Sequence, residues 1–205
     1  MHLALLEDRL GEGARLSLPA EQRVLYVVSG RVEIDGASLD ENQARHAAVP
    51  CAILARTAAR LWRWELRADE PTQSDARSIL KLTRAIDLPP QGALMRADRV
   101  DFPPRGIAYT HTHQGPGIRV LLRGRFRVET GGHAVEIAPG EAWFERGPDP
   151  VYAESIADEP TSFVRVMVLP VALLGKSSIH YVRPEDQARP KSQTYTVFVD
   201  TAITP

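Results

Sequence analysis

Residues 106–155 read GIAYTHTHQGPGIRVLLRGRFRVETGGHAVEIAPGEAWFERGPDPVYAES. Apolar runs of five to seven residues are cut by glycine and proline at Gly115, Gly124, Gly131, Gly132, Pro139 and Gly147. Short β-rich runs between turn residues predict an all-β sandwich or barrel. In a strand, side chains two apart share a face, so the spacing turns Tyr109, His111 and His113 one way and Thr110 and Thr112 the other. Two imidazoles roughly 6–7 Å apart along one strand can converge on one cation. A third ligand is then needed, and neutral imidazole with carboxylate suits divalent Fe, Mn, Ni or Zn.

Outside this stretch the same grammar continues. RVLYVVSGRVEI (23–34), RLWRWEL (60–66), TSFVRVMVLP (161–170) and TYTVFVD (194–200) are further strand candidates, and 16 prolines and 14 glycines punctuate the chain. Arg23–Gly36 repeats the pattern of Gly117–Gly132: apolar strand, glycine, a second strand with arginine and valine alternating, glycine turn. LWRWEL (61–66) likewise matches FVRVMVL (163–169), each closing its half. One repeat of this length predicts two domains of one architecture rather than a solenoid. The boundary is expected between Ala68 and Gln91, where RADEPTQSDAR is polar and RSILKLTRAIDL (77–88) offers the one plausible helix. We therefore expect domains at 1–78 and 79–205, joined by a short helical or loop linker. The YTVFV stretch of the tail should form a strand covering a sheet edge, in the first barrel or a partner chain.

The 106–155 stretch resembles the first and second motifs of the cupin superfamily. Gly106, His111, His113 and Gly124 fit the first, and Pro139, Gly140, Glu141 and Pro148–Pro150 fit the second. The resemblance implies two tandem cupin-type double-stranded β-helix (jelly-roll) barrels, the N-terminal one degenerate. It also implies dioxygenase, isomerase or decarboxylase chemistry at a metal. Two ligand places depart from the pattern, since the family's glutamate falls at Gly117 and its third histidine at about Val151. Glu145, inward by parity, is the replacement expected to complete a 2-His-1-carboxylate set, or else to pair with Arg119. Gln114 is a further candidate ligand through its amide oxygen. Arg119, two residues after Gly117, is expected to clamp an anionic substrate, with Tyr109 and Trp143 as walls. The first half has no histidine at the corresponding turn and carries Arg23 at the glutamate place, so no metal is expected there.

Composition limits the alternatives. The formal net charge is −1, which favours neither nucleic acid nor an anionic membrane. No run of about 18 apolar residues predicts a spanning helix. The single cysteine, Cys51, suits a reducing cytoplasm and is expected to be buried. A homodimer is expected from the prevalence of two-fold assemblies. The function expected is a metal-dependent, oxygenase- or isomerase-like enzyme for a small anionic molecule, with a non-catalytic binding or sensor module as the alternative. His2, His46, His133 and His180 are expected to lie outside the site.

Overall fold

A computed structural model of the protein describes residues 1–71 and 77–204. The chain divides into two compact units, Met1–Asp87 with the residues from Ile203 onward, and Leu88–Ala202. In the first, the strands are β1 (His2–Leu10), β2 (Arg15–Leu18), β3 (Gln22–Ser29), β4 (Arg31–Ile34), β5 (Ala37–Asp40), β6 (Ala44–Ala47), β7 (Cys51–Ala55), β8 (Ala59–Arg67) and β9 (Ser78–Ala85). They form two sheets, in the orders β6-β3-β8-β1-β9 and β2-β7-β4-β5. Leu25, Val27 and Leu61 of one sheet and Val32, Ile34 and Ile53 of the other share a single apolar core.

The second unit holds β10 (Ala93–Phe102), β11 (Ile107–His113), β12 (Gly117–Arg123), β13 (Phe126–Thr130), β14 (His133–Ile137), β15 (Ala142–Glu145), β16 (Val151–Ser155), β17 (Thr161–Pro170), β18 (Ile179–Tyr181) and β19 (Thr194–Ile203). One five-residue helix, Pro184–Ala188, follows β18. The two sheets run β15-β12-β17-β10-β19 and β14-β13-β16-β11-β18. Phe102, Leu121, Trp143 and Phe163 of the first sheet pack on Phe126, Val128, Val151 and Ala153 of the second. Every pairing with a resolved register in either unit is antiparallel, for example β10 with β17 and β1 with β8. No helix among the described residues is long and apolar enough to cross a membrane.

The repeated glycines have a common physical cause. Gly30 has φ +83° and Gly124 φ +81°, in the left-handed region that suits glycine. An added Cβ at Gly30 would lie 2.3 Å from the Ala58 carbonyl oxygen, and at Gly124 2.2 Å from Thr161 Oγ1. Each glycine thus permits a sharp change of direction against a closely approaching strand start.

Two expectations need correction. RSILKLTRAIDL (77–88) is not a helix: Ser78–Ala85 is a strand hydrogen-bonded to β1, in the register His2↔Ala85 to Asp8↔Ser78. Pairing to the edge of β1, with Ser78 Oγ donating to buried Asp8 at 2.6 Å, overrides a weak helical preference. The residues 79–87 therefore belong to the first unit rather than opening the second; part of the expected boundary, 72–76, lies outside the described residues. The tail strand also pairs elsewhere than expected. β19 lies beside β10 at the edge of the second unit's own sheet. Cys51 is buried, as its type predicts.

Candidate functional site

The second unit sets Arg119, Arg165 and Asp98, all buried, in one row across a sheet. Trp143 on β15 stands opposite Arg119 on β12, Arg119 opposite Arg165 on β17, and Arg165 opposite Asp98 on β10. Like charges on directly opposed residues repel, so each guanidinium needs its own carboxylate. Arg165 has Asp98, with Nε–Oδ1 2.7 Å and Nη2–Oδ2 3.1 Å, a two-pronged pair. Arg119 has Glu145, whose Oε2 lies 2.7 Å from Nη2. That contact is misaligned, so Arg119 Nη2 and Glu145 Oε2 are both buried without a formed hydrogen bond. Glu145 Oε1 accepts from Trp143 Nε1 at 2.9 Å, and Arg119 Nη1 donates to the Gly117 carbonyl at 2.6 Å.

The facing sheet supplies the histidines. His111 and His113 are 5% and 3% exposed, with ring centroids 4.8 Å apart and planes nearly perpendicular. His111 Nδ1 contacts the Tyr109 carbonyl at 2.7 Å. An acceptor there fixes the proton on Nδ1 and leaves the lone pair on Nε2. His113 Nε2 lies 3.5 Å from Arg165 Nη1 and 3.6 Å from Glu145 Oε2, and its Nδ1 is buried without a partner.

Burial first, then Arg165 and Arg119 beside it, hold the His113 imidazole well below its ordinary 6.5. Burial lowers His111 too, against the partial support of Glu145 and the Tyr109 carbonyl. Burial also pushes Arg119 down to about 10, with Glu145 opposing the shift. Arg165 moves the other way, because Asp98 more than offsets its burial.

Both histidines therefore take up a proton less readily in the fold than in the unfolded chain, which protonates them below about pH 6.5. The sign is fixed: stability is intact above that pH and falls progressively as pH drops below it. We expect a urea midpoint lower at pH 5 than at pH 7. A His113→Asn variant should flatten that slope, and an unchanged slope would mean that His113 does not titrate differently on unfolding.

Several expected site residues stand elsewhere. Tyr109 does not share the histidines' face. A one-residue irregularity between Ala108 and His111 in the pairing with β16 breaks the alternation. Its ring instead lies under Arg189 and Lys191, at 5.1 and 5.4 Å. Gln114 is exposed just beyond the end of β11, so its amide cannot join the pair. Trp143 is a core side chain, packed on Phe126 and Phe163. Arg119 is 1% exposed and turned back on its own strand, so it cannot clamp an organic substrate.

Arg165, Asp98 and Tyr195 were not anticipated. A usable signal existed, since LWRW (61–64) and FVRVMV (163–168) each carry one arginine in an otherwise apolar run. In the first unit that arginine, Arg63, is likewise forked on a buried aspartate, Asp8, at 2.7 and 2.9 Å. The fork occurs in both units, whereas Arg119 and the histidines belong to the second unit alone.

Two cavities adjoin this row. The inner one, lined by His111, His113, Arg119, Glu145 and Arg165 among others, holds about 20 Å³, room for one water. The outer one holds about 550 Å³ and is lined by Arg165, Lys176, Tyr181, Lys191, Tyr195 and Val197 among others. Arg165, Ile179 and Tyr195 line both.

Two imidazoles and a carboxylate are suitable donors for a divalent metal, but their present arrangement does not fit one. Glu145 faces the Arg119 guanidinium and His113 Nε2 faces that of Arg165. Among the described residues no three His, Cys, Asp or Glu side chains converge as a metal site.

No family model and no curated protein matches the chain. Solved structures do. It is similar to AerE from Microcystis aeruginosa, at 13% identity over 82% of this chain and 88% of that one, TM-score 0.64. It is similar to a cupin 2 conserved barrel domain protein from Leptotrichia buccalis, at 14% identity over 81% and 82%, TM-score 0.50. A deletion mutant of oxalate decarboxylase from Bacillus subtilis gives 13% identity over 92% and 73%, TM-score 0.65. The Mn(II) centres described for that decarboxylase are its own. At such identities the likeness is one of fold, and the fold is cupin-like.

Proposed function

We propose that the second unit is a binding module for a small anionic organic molecule, held in the 550 Å³ cavity against Arg165. One observation carries this reading: Arg165, Ile179 and Tyr195 form the common wall between a ligand-sized cavity and a water-sized one. The inner centre has no room for an organic molecule. The outer cavity falls within the range typical of small-molecule sites. Arg96, Arg165, Lys176 and Lys191 line it against only Asp98 and Asp200, an excess of positive charge. Arg96 is neutralised by Asp200 and bonded to the Leu173 and Lys176 carbonyls. Lys176 is exposed at this cavity, and its ammonium can meet an incoming carboxylate. Tyr181, Tyr195 and Val197 supply apolar surface for the rest of the molecule.

The test is calorimetry with a panel of small mono- and dicarboxylates, each against its neutral amide. Carboxylates should bind and amides should not. Lys176→Glu should weaken the best binder about tenfold or more, since a tenfold loss corresponds to roughly 1.4 kcal/mol. Equal binding of the amides would end the reading.

A second reading, a metal-dependent oxygenase- or isomerase-like enzyme for the same kind of anion, is favoured by one contact. The Tyr109 carbonyl on His111 Nδ1 frees Nε2 for ligation. It requires Glu145 to leave Arg119, and turnover that follows added metal would support it over binding alone.

A further inference from the structure

We infer that the Arg119 guanidinium is the resident cation of the inner centre: it holds Glu145 and keeps a divalent metal from the three donors His111, His113 and Glu145. This does not depend on what the outer cavity binds. Four observations carry it.

The first is position. Arg119 Nη2 lies 2.7 Å from Glu145 Oε2, and the same oxygen lies 3.6 Å from His113 Nε2. The guanidinium is thus on the one carboxylate that both histidines could share with an ion. The second is the backbone beneath it. Arg119 turns back so that Nη1 reaches the Gly117 carbonyl at 2.6 Å. A Cβ on Gly117 would stand 3.0 Å from that nitrogen and 2.6 Å from the Val166 carbonyl oxygen. The β17 backbone, together with Met167 Cγ at 2.8 Å, keeps position 117 free of a side chain, and the guanidinium lies beside that gap.

The third is what remains unmet. Glu145 Oε2, Arg119 Nη2 and His113 Nδ1 are all buried without a hydrogen bond. A pair matched in charge but misaligned in direction behaves as a monopole holding a carboxylate, the role an ion would otherwise play. The fourth is its neighbourhood. Arg165 stands directly opposite Arg119, with Nη1 3.5 Å from His113 Nε2. A divalent ion among these donors would face two guanidiniums at close range in a poorly solvated place, where like charges repel strongly.

Removing Arg119 should therefore uncover a metal site. It would free Glu145, relieve one of the two positive charges, and leave two imidazoles and a carboxylate facing enlarged space. The probe is Co(II), titrated into untagged, chelator-treated protein near pH 7.5 and read by its ligand-field absorption. Wild-type protein should show no His111-dependent uptake. Arg119→Met should take one equivalent, with affinity on the order of 100-fold or more above wild type, and Arg119→Met/His111→Ala should lose it. Arg119→Gln provides a second variant that removes the charge but keeps a donor, and it should bind Co(II) as well.

Near-stoichiometric Co(II) on the wild-type protein that vanishes in His111→Ala overturns the inference. So does a folded Arg119→Met or Arg119→Gln protein that takes up none. The wild-type titration decides even where neither variant folds, because histidine-bound Co(II) beside an intact Arg119 is what the inference forbids.

Discussion

Replacing Asp98 with alanine should cost the second unit about 3–5 kcal/mol of unfolding free energy, the range for stranding a buried charge. Asp98 is 2% exposed and Arg165 6%. The two are joined by bonds of 2.7 and 3.1 Å. With the carboxylate gone, Arg165 keeps the long contact of Nη1 to His113 Nε2 at 3.5 Å, the face of Tyr195, 5.6 Å from its guanidinium carbon, and the more distant field of Glu145. None of these replaces a two-pronged partner. For a unit of this size each kcal/mol shifts the midpoint by roughly 4 °C, so a fall of more than about 10 °C is expected by circular dichroism. The double variant Asp98→Leu/Arg165→Met should recover most of the loss, because a buried pair exchanged for apolar residues of similar volume is often close to neutral. A single variant within about 1 kcal/mol of wild type would mean that water reaches Arg165 in the fold.

That pair also marks where the sequence was legible and where it was not. Periodicity and turn residues located the strands well: GIRVLLRGRFRVET resolves into Gly117–Arg123 and Phe126–Thr130, and TSFVRVMVLP into Thr161–Pro170. Parity correctly turned Glu145 inward, because β15 is short and paired without interruption along Gly117–Val120. The same argument failed for Tyr109 because one extra residue in β11 reverses the alternation, and nothing in IAYTHTH announces it. It failed for Arg119 in a different way. The side chain does point inward, but whether it reaches a ligand or folds onto Gly117 is decided by partners on other strands. Residues 78–85 were misread because edge pairing to β1 is a long-range interaction that a local window cannot register. The arginines at 63 and 165 were visible as charged residues inside apolar runs, and the inference open to a reader was that each must have a buried acid.

Replacing Gly124 with alanine should cost roughly 2–5 kcal/mol, and the sum has two separable parts. About 1–2 kcal/mol comes from forcing a residue with a Cβ to φ +81°. A further 1–3 kcal/mol or so comes from overlap, since the Cβ would lie 2.2 Å from Thr161 Oγ1 and 2.8 Å from its Cα. Thr161 cannot easily retreat: it is fully buried and its hydroxyl shares a 2.7 Å hydrogen bond with Ser155. Gly132 supplies the control. It has φ +77° but nothing within 4 Å of the added carbon, so Gly132→Ala should show the backbone part alone. In the first unit Gly30→Ala should match Gly124→Ala, because the Ala58 carbonyl oxygen at 2.3 Å is backbone and equally fixed. Urea unfolding of the four proteins, wild type included, gives both terms by difference. Equal losses at Gly124 and Gly132 would remove the close approach of β17 from the explanation, and with it the reason why this glycine recurs in both halves of the chain.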